Sequence, residues 1–83
     1  MVEIVLPQVG ERYRHFKGEE KIYEILAIAL DCEDSFRKIV IYKSLYGSEE
    51  FPIGTVWGRE LDDFMGEKIL ADGNKIKRFV LIE

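Results

Sequence analysis

Trp57 and Arg59 stand two apart, so on a strand they project from the same face. An indole beside a guanidinium can stack as a cation–π pair, worth about 0.5–1 kcal/mol at an exposed site. The same pair can clamp a planar anion, the ring stacking while the guanidinium forks to a phosphate or carboxylate. The plainer alternative makes Trp57 core and pairs Arg59 with a nearby acid such as Asp62. Further cations stand near both ends of the chain, Arg14, His15 and Lys17 at the start and Arg78 near the finish. If folding sets the two ends side by side, these groups converge on one anion site. The competing outcome is ordinary pairing of the arginines with Glu24 or Glu33, worth little at a surface. Tyr42 and Tyr46 share a strand face across Ser44; Tyr42 reads as core, and Tyr46, beside Gly47, as reaching the surface. The ligand-binding set read from the sequence is therefore Arg14, His15, Tyr46, Trp57, Arg59 and Arg78.

Catalysis finds fewer parts. His15 is the only histidine, and no nucleophile motif of the Gly-x-Ser-x-Gly kind accompanies it. Cys32 lies among acids, a poor setting for a nucleophilic thiol. Asp62 and Asp63 have no third carboxylate or histidine to complete a metal cage. The expectation is no catalytic residue, no metal and no cofactor.

The elements that must position these residues are constrained first by size and charge. Eighty-three residues make one domain, residues 1–83, with 1–9 as an N-terminal extension and 10–83 as the β domain proper. A hydrophobic share of 47% with 34% charged residues describes a soluble, globular chain. The net charge of −4 excludes a whole-surface affinity for nucleic acid or anionic lipid but permits a local basic patch. A lone cysteine allows no internal disulfide, and the start of the chain lacks the basic and long apolar regions of a signal peptide. No segment is long enough to span a membrane, so a cytoplasmic location is expected.

Along the chain, Val2–Leu6 reads as a short edge strand stopped by Pro7. In the opening strand Tyr13–Lys17, Tyr13, His15 and Lys17 share one face, while Arg14 and Phe16 share the other. Ile22–Leu30 is the strongest strand, with Tyr23, Ile25, Ala27 and Ala29 opposed to Ile22, Leu26, Ile28 and Leu30; a helix is its rival, since Glu, Leu and Ala all favour one. Apolar residues on both faces give it a central position, the alanines marking close approach of another layer. A polar connection leads to a second long strand, Phe36–Tyr46, forming a hairpin. A loop, Gly47–Thr55, displays Phe51 and Ile53 before the short strand Val56–Arg59. Leu61–Met65 forms one helical turn ended by Gly66. Lys68–Ala71 and Lys75–Ile82 flank an Asp72-Gly73-Asn74 hairpin turn. Five to six strands with one helical turn predict an all-β or β-rich α+β fold, either a small SH3-like barrel or a strongly bent antiparallel sheet.

A series of spaced words runs through this frame: Tyr13-Arg-His-Phe-Lys-Gly18, Tyr23-Glu-Ile-Leu-Ala-Ile-Ala29, Val40-Ile-Tyr42, Leu45-Tyr-Gly47, Trp57-Gly-Arg59, Leu61 with Phe64, and Arg78-Phe79. Together, from about Gly10 onward, they resemble a family of small bacterial proteins, the one catalogued as domain of unknown function 1653. Against the pattern of that family, Glu60 stands where a proline is usual after the arginine. Leu30-Asp-Cys stands before Glu33 where Arg-His-Ser is usual, and the turns after Gly18 and Gly47 are longer. The resemblance implies a shared pattern and no mechanism.

The expected function is a cytoplasmic binding module whose Arg/aromatic groove takes a small anionic or planar ligand or a short nucleic acid. The alternative is a protein-interaction module using the loop around Phe51 and Trp57. An enzyme acting through His15 has the least support.

Overall fold

The structure, a computed structural model, describes residues 6–83. The edge strand expected over Val2–Leu6 therefore lies, but for Leu6, outside the described residues. Seven strands and one helical turn follow: β1 (Arg12–His15), β2 (Ile22–Leu30), β3 (Lys38–Ser44), β4 (Val56–Glu60), α1 (Leu61–Phe64), β5 (Glu67–Ile69), β6 (Lys75–Lys77) and β7 (Phe79–Leu81). Five of the strands form an antiparallel sheet in the order β4-β3-β2-β1-β7, and β5 with β6 forms a separate ribbon. The strand with two apolar faces, β2, takes the middle of the sheet.

The sheet is open. Its edges are β4 and β7, and no ladder among the described residues joins them. Of the two forms expected, the antiparallel sheet is therefore the observed one and the closed SH3-like barrel is not. The reason lies in the last third of the chain, where the expected strand Lys75–Ile82 divides at Arg78. Its first half pairs with β5 and its second half with β1, and the Arg78 N–H goes to the Gly66 carbonyl at 3.0 Å. Two three-residue pieces committed to different partners leave no strand to bridge the edges. The ribbon turns at Gly73, whose φ of +89° suits glycine, with the Asn74 N–H donating to Asp72 Oδ1 at 3.0 Å.

Cross-strand register assigns the faces. Tyr13, Tyr23 and Ser44 lie opposite one another, as do Ile25, Tyr42 and Trp57, and His15 lies opposite Phe79. These residues make the inner face, on which Phe64 of α1 packs, fully buried. The alternation expected along β2 breaks at Leu26, a bulge between the Ile25–Tyr42 and Ala27–Ile41 pairs. One extra residue inverts the parity beyond it. Ile28 consequently faces inward against the core, opposite Val40, whereas Ala27 and Ala29 lie on the outer face opposite Ile41 and Ile39. The alanines thus do not mark a close approach on the face of Tyr23 and Ile25. The outer face carries a charge ladder, Arg12–Glu24–Lys43, across three strands. No helix among the described residues is long and apolar enough to cross a membrane.

Candidate functional site

The core is an aromatic cluster, and the charged groups sit on its rim. Phe64 stacks on Phe79 with centroids 4.2 Å apart and planes within 8°. It meets Tyr13 at 5.2 Å and Tyr42 at 5.4 Å. Arg59, aimed inward by the β4 alternation, lays its guanidinium over the Phe79 ring at 5.6 Å. Its Nε donates to the Tyr42 hydroxyl at 3.3 Å and its Nη1 to Asp63 Oδ2 at 2.9 Å. The Arg78 Nη2 approaches the other oxygen of that carboxylate, Asp63 Oδ1, at 3.7 Å. Two guanidiniums from distant parts of the chain therefore share one anion, the geometry of a two-oxygen clamp. Burial works against the charge of Arg59. The Tyr42 hydroxyl and the Asp63 carboxylate outweigh it and hold the arginine above its ordinary pKa.

His15 ends β1 beside this clamp, its ring edge-on to Phe79 at 5.0 Å. The Lys17 N–H donates to His15 Nδ1 at 3.2 Å. In a neutral imidazole the proton then belongs on Nε2, leaving that nitrogen as a donor. Burial, followed by the charges of Arg59, Lys17, Arg78 and Lys21, lowers the histidine from 6.5 to about 4. The unfolded chain thus takes up a proton between pH 6.5 and about 4 that the native state refuses. The stability arising from this shift is complete above pH 6.5 and is lost as the pH falls toward 4. Urea melts at pH 7 and pH 5 should show a larger loss for the parent than for His15→Gln. Equal losses would exclude His15 as the source.

The Tyr23 and Tyr46 hydroxyls share a hydrogen bond of 2.8 Å, and the Lys21 ammonium lies over the Tyr46 ring at 5.6 Å. Burial and then the bond to Tyr46 push Tyr23 up, partly offset by Arg59. Tyr13 is pushed up to about 12 by burial, with help from Glu11. Trp57 meets the half-exposed Phe51 edge-on at 4.9 Å. With Tyr42, Arg59, Glu60, Asp62 and Asp63 it lines a hollow of about 750 Å³. The carboxylates there are partly spoken for, Asp63 by both arginines and Glu60 by Arg37. Three buried polar atoms, Ser44 Oγ, Trp57 Nε1 and Arg78 Nε, find no hydrogen-bond partner among the described residues. An unmade bond of this kind costs about 1–3 kcal/mol.

Of the six residues singled out in the sequence, His15, Tyr46, Trp57, Arg59 and Arg78 belong to the inner face and its rim. Arg14 does not. Its register partners are Ile22 and Val80 on the outer face, and it lines a separate hollow with His15 and Lys17. Pairing of Arg59 with a nearby acid does occur, but through Asp63 rather than Asp62. Arg59 ends up on β4 and Asp63 on α1, so it is the strand-to-helix junction at Glu60 and Leu61 that brings this pair together. Phe79, Tyr23 and Lys21 carry no local signal, since their placement depends on tertiary pairing. No cluster of three or more metal-ligating side chains exists among the described residues, and Cys32 is exposed and free.

No curated relative and no solved structure matches the chain. A family profile, described as Protein of unknown function (DUF1653), matches residues 11–81, which takes in every strand of the sheet, the clamp arginines and Asp63. The chain belongs to that family.

Proposed function

We propose that the protein is a cytoplasmic binding module that holds a small anionic ligand with a planar portion at the Arg59–Arg78 rim of the inner face. The observation that carries this is electrostatic. On a chain of net charge −4, Arg59, Lys17, Arg78 and Lys21 all bear on one neutral histidine. The ion pairs of the two arginines with Asp63 are the ones that balance them among the described residues. Arginine forks, phenolic hydroxyls and His15 Nε2 are donors, a set that suits phosphate or carboxylate oxygens. Trp57 and Tyr46, half-buried, supply rings on which a planar group stacks. Asp63 occupies the clamp in the free protein, so an incoming anion competes with it.

The test is a titration of nucleotides and short oligonucleotides, followed by the fluorescence of Trp57 at low salt. Binding should be about threefold tighter in Asp63→Asn, which vacates the clamp, as expected for an exposed pair. Asp62→Asn, with the same change in net charge and no arginine partner, should stay within twofold of the parent. The absence of a fluorescence response to any of these compounds, in parent and variants alike, would remove this reading.

A further inference from the structure

The outer-face residue Arg14 lines a second hollow, of about 340 Å³, at the β1–β2 turn. Its walls include His15, Phe16, Lys17, Glu19 and Lys77. Arg14, Lys17 and Lys77 make no ion pair among the described residues, unlike Arg12, Arg37 and Lys43, each tied to a carboxylate. With three cations against Glu19, this hollow has a local positive excess. It meets the inner-face rim at His15, whose ring packs on the same Phe79 ring that the Arg59 guanidinium covers. His15 lines it, and the same His15 lies in the field of Arg59, Arg78 and Lys21.

Six of the chain's twelve cations, Arg14, Lys17, Lys21, Arg59, Lys77 and Arg78, therefore flank one histidine in two adjoining groups. A single phosphate needs one such group. Two groups, each with half-buried aromatic surface beside it (Trp57 and Tyr46 for the first, Phe16 for the second), match an anion repeated along a chain that also carries flat rings. Resting on the function proposed above, we infer that the ligand is a segment of single-stranded nucleic acid. One phosphate lies at the Arg59–Arg78 clamp and a neighbouring phosphate in the hollow of Arg14, Lys17 and Lys77. A single strand fits better than a duplex because stacking on these rings requires bases that are free of their partners.

Hexathymidylate and thymidine monophosphate, titrated against the intact protein at several salt concentrations, provide the test. The hexanucleotide should bind about tenfold or more tightly than the mononucleotide at low salt. Its log–log salt slope should be about −1.4 or steeper, as expected when two or more phosphates of a single strand are neutralised. The combined change Arg14→Gln and Lys77→Gln affects exposed side chains only. It should abolish the hexanucleotide's advantage while leaving mononucleotide affinity within twofold. Equal affinity for the two probes, or an advantage that survives the double change, would overturn the inference while leaving the anion clamp standing. Binding of neither probe would remove both. A blunt hairpin whose stem of guanine–cytosine pairs leaves only a short loop unpaired, or hexaglutamate, binding as tightly as the single strand would also overturn it.

Discussion

Replacing Arg59 with alanine is expected to weaken binding of thymidine monophosphate by about thirtyfold, equivalent to about 2 kcal/mol for a charge-assisted hydrogen bond. Arg59 combines three contacts, with the Tyr42 hydroxyl, the Asp63 carboxylate and the Phe79 ring. Its loss removes half of the clamp and leaves the Asp63 carboxylate balanced by Arg78 alone, so that it repels the incoming anion more strongly. Arg59→Lys should recover little. An ammonium keeps the charge but not the planar fork that reaches a phenol and a carboxylate while lying over a ring. Stability should change by no more than about 1 kcal/mol, because the Asp63 side chain is 54% exposed and the pair is screened. Calorimetric titration with a parallel urea melt separates the two effects. Affinity within twofold of the parent, in a variant that melts normally, would show that no anion uses this arginine.

How far such a site can be read from the chain depends on whether the signal is local. The limits of β2 are local: a run from Ile22 to Leu30, apolar but for Glu24, lies between Lys21 and Asp31, and the strand has those ends. The helical turn after β4 is local too, since Leu61 and Phe64 share the inner side and Gly66 stops it. The bulge at Leu26 has no such mark. Ile25, Leu26, Ala27 and Ile28 are all apolar, so a parity change among them leaves the pattern plausible on either face. The division at Arg78 is equally silent. Lys75 to Leu81 contains no glycine, proline or other turn residue to mark a break, and only competition between β5 and β1 for partners splits it. At the rim, strand alternation already separates Arg14 from His15, and the register keeps them on opposite faces. Lys21, by contrast, sits in a turn, and its approach to Tyr46 follows from the β2–β3 pairing rather than from any neighbour in sequence.

Phe64→Ala is expected to destabilise the fold by about 3–5 kcal/mol, the range for removing a fully buried phenylalanine. The side chain has no exposed surface and fills the space among Tyr13, Tyr42 and Phe79. Few other residues can absorb the gap. The buried apolar core comprises Tyr13, Ile25, Val40, Tyr42, Phe64 and Phe79, so one truncation removes a sizeable part of it. For a chain of this length the whole folding free energy is about 4–12 kcal/mol, so the substitution should remove about a quarter of it or more, and nearly all of it at the low end of that range. Phe64→Leu keeps most of the volume and should cost about 1.5 kcal/mol or less. The same substitutions couple the core to the rim. Phe64 stacks on the ring that Arg59 covers, and α1, which it anchors, carries Asp63. The leucine variant, folded but without the ring-on-ring contact, should therefore show altered anion affinity along with its modest loss in urea stability. Urea midpoints that barely move for alanine would mean that the sheet holds together without this residue, and that the clamp is set by the strands alone.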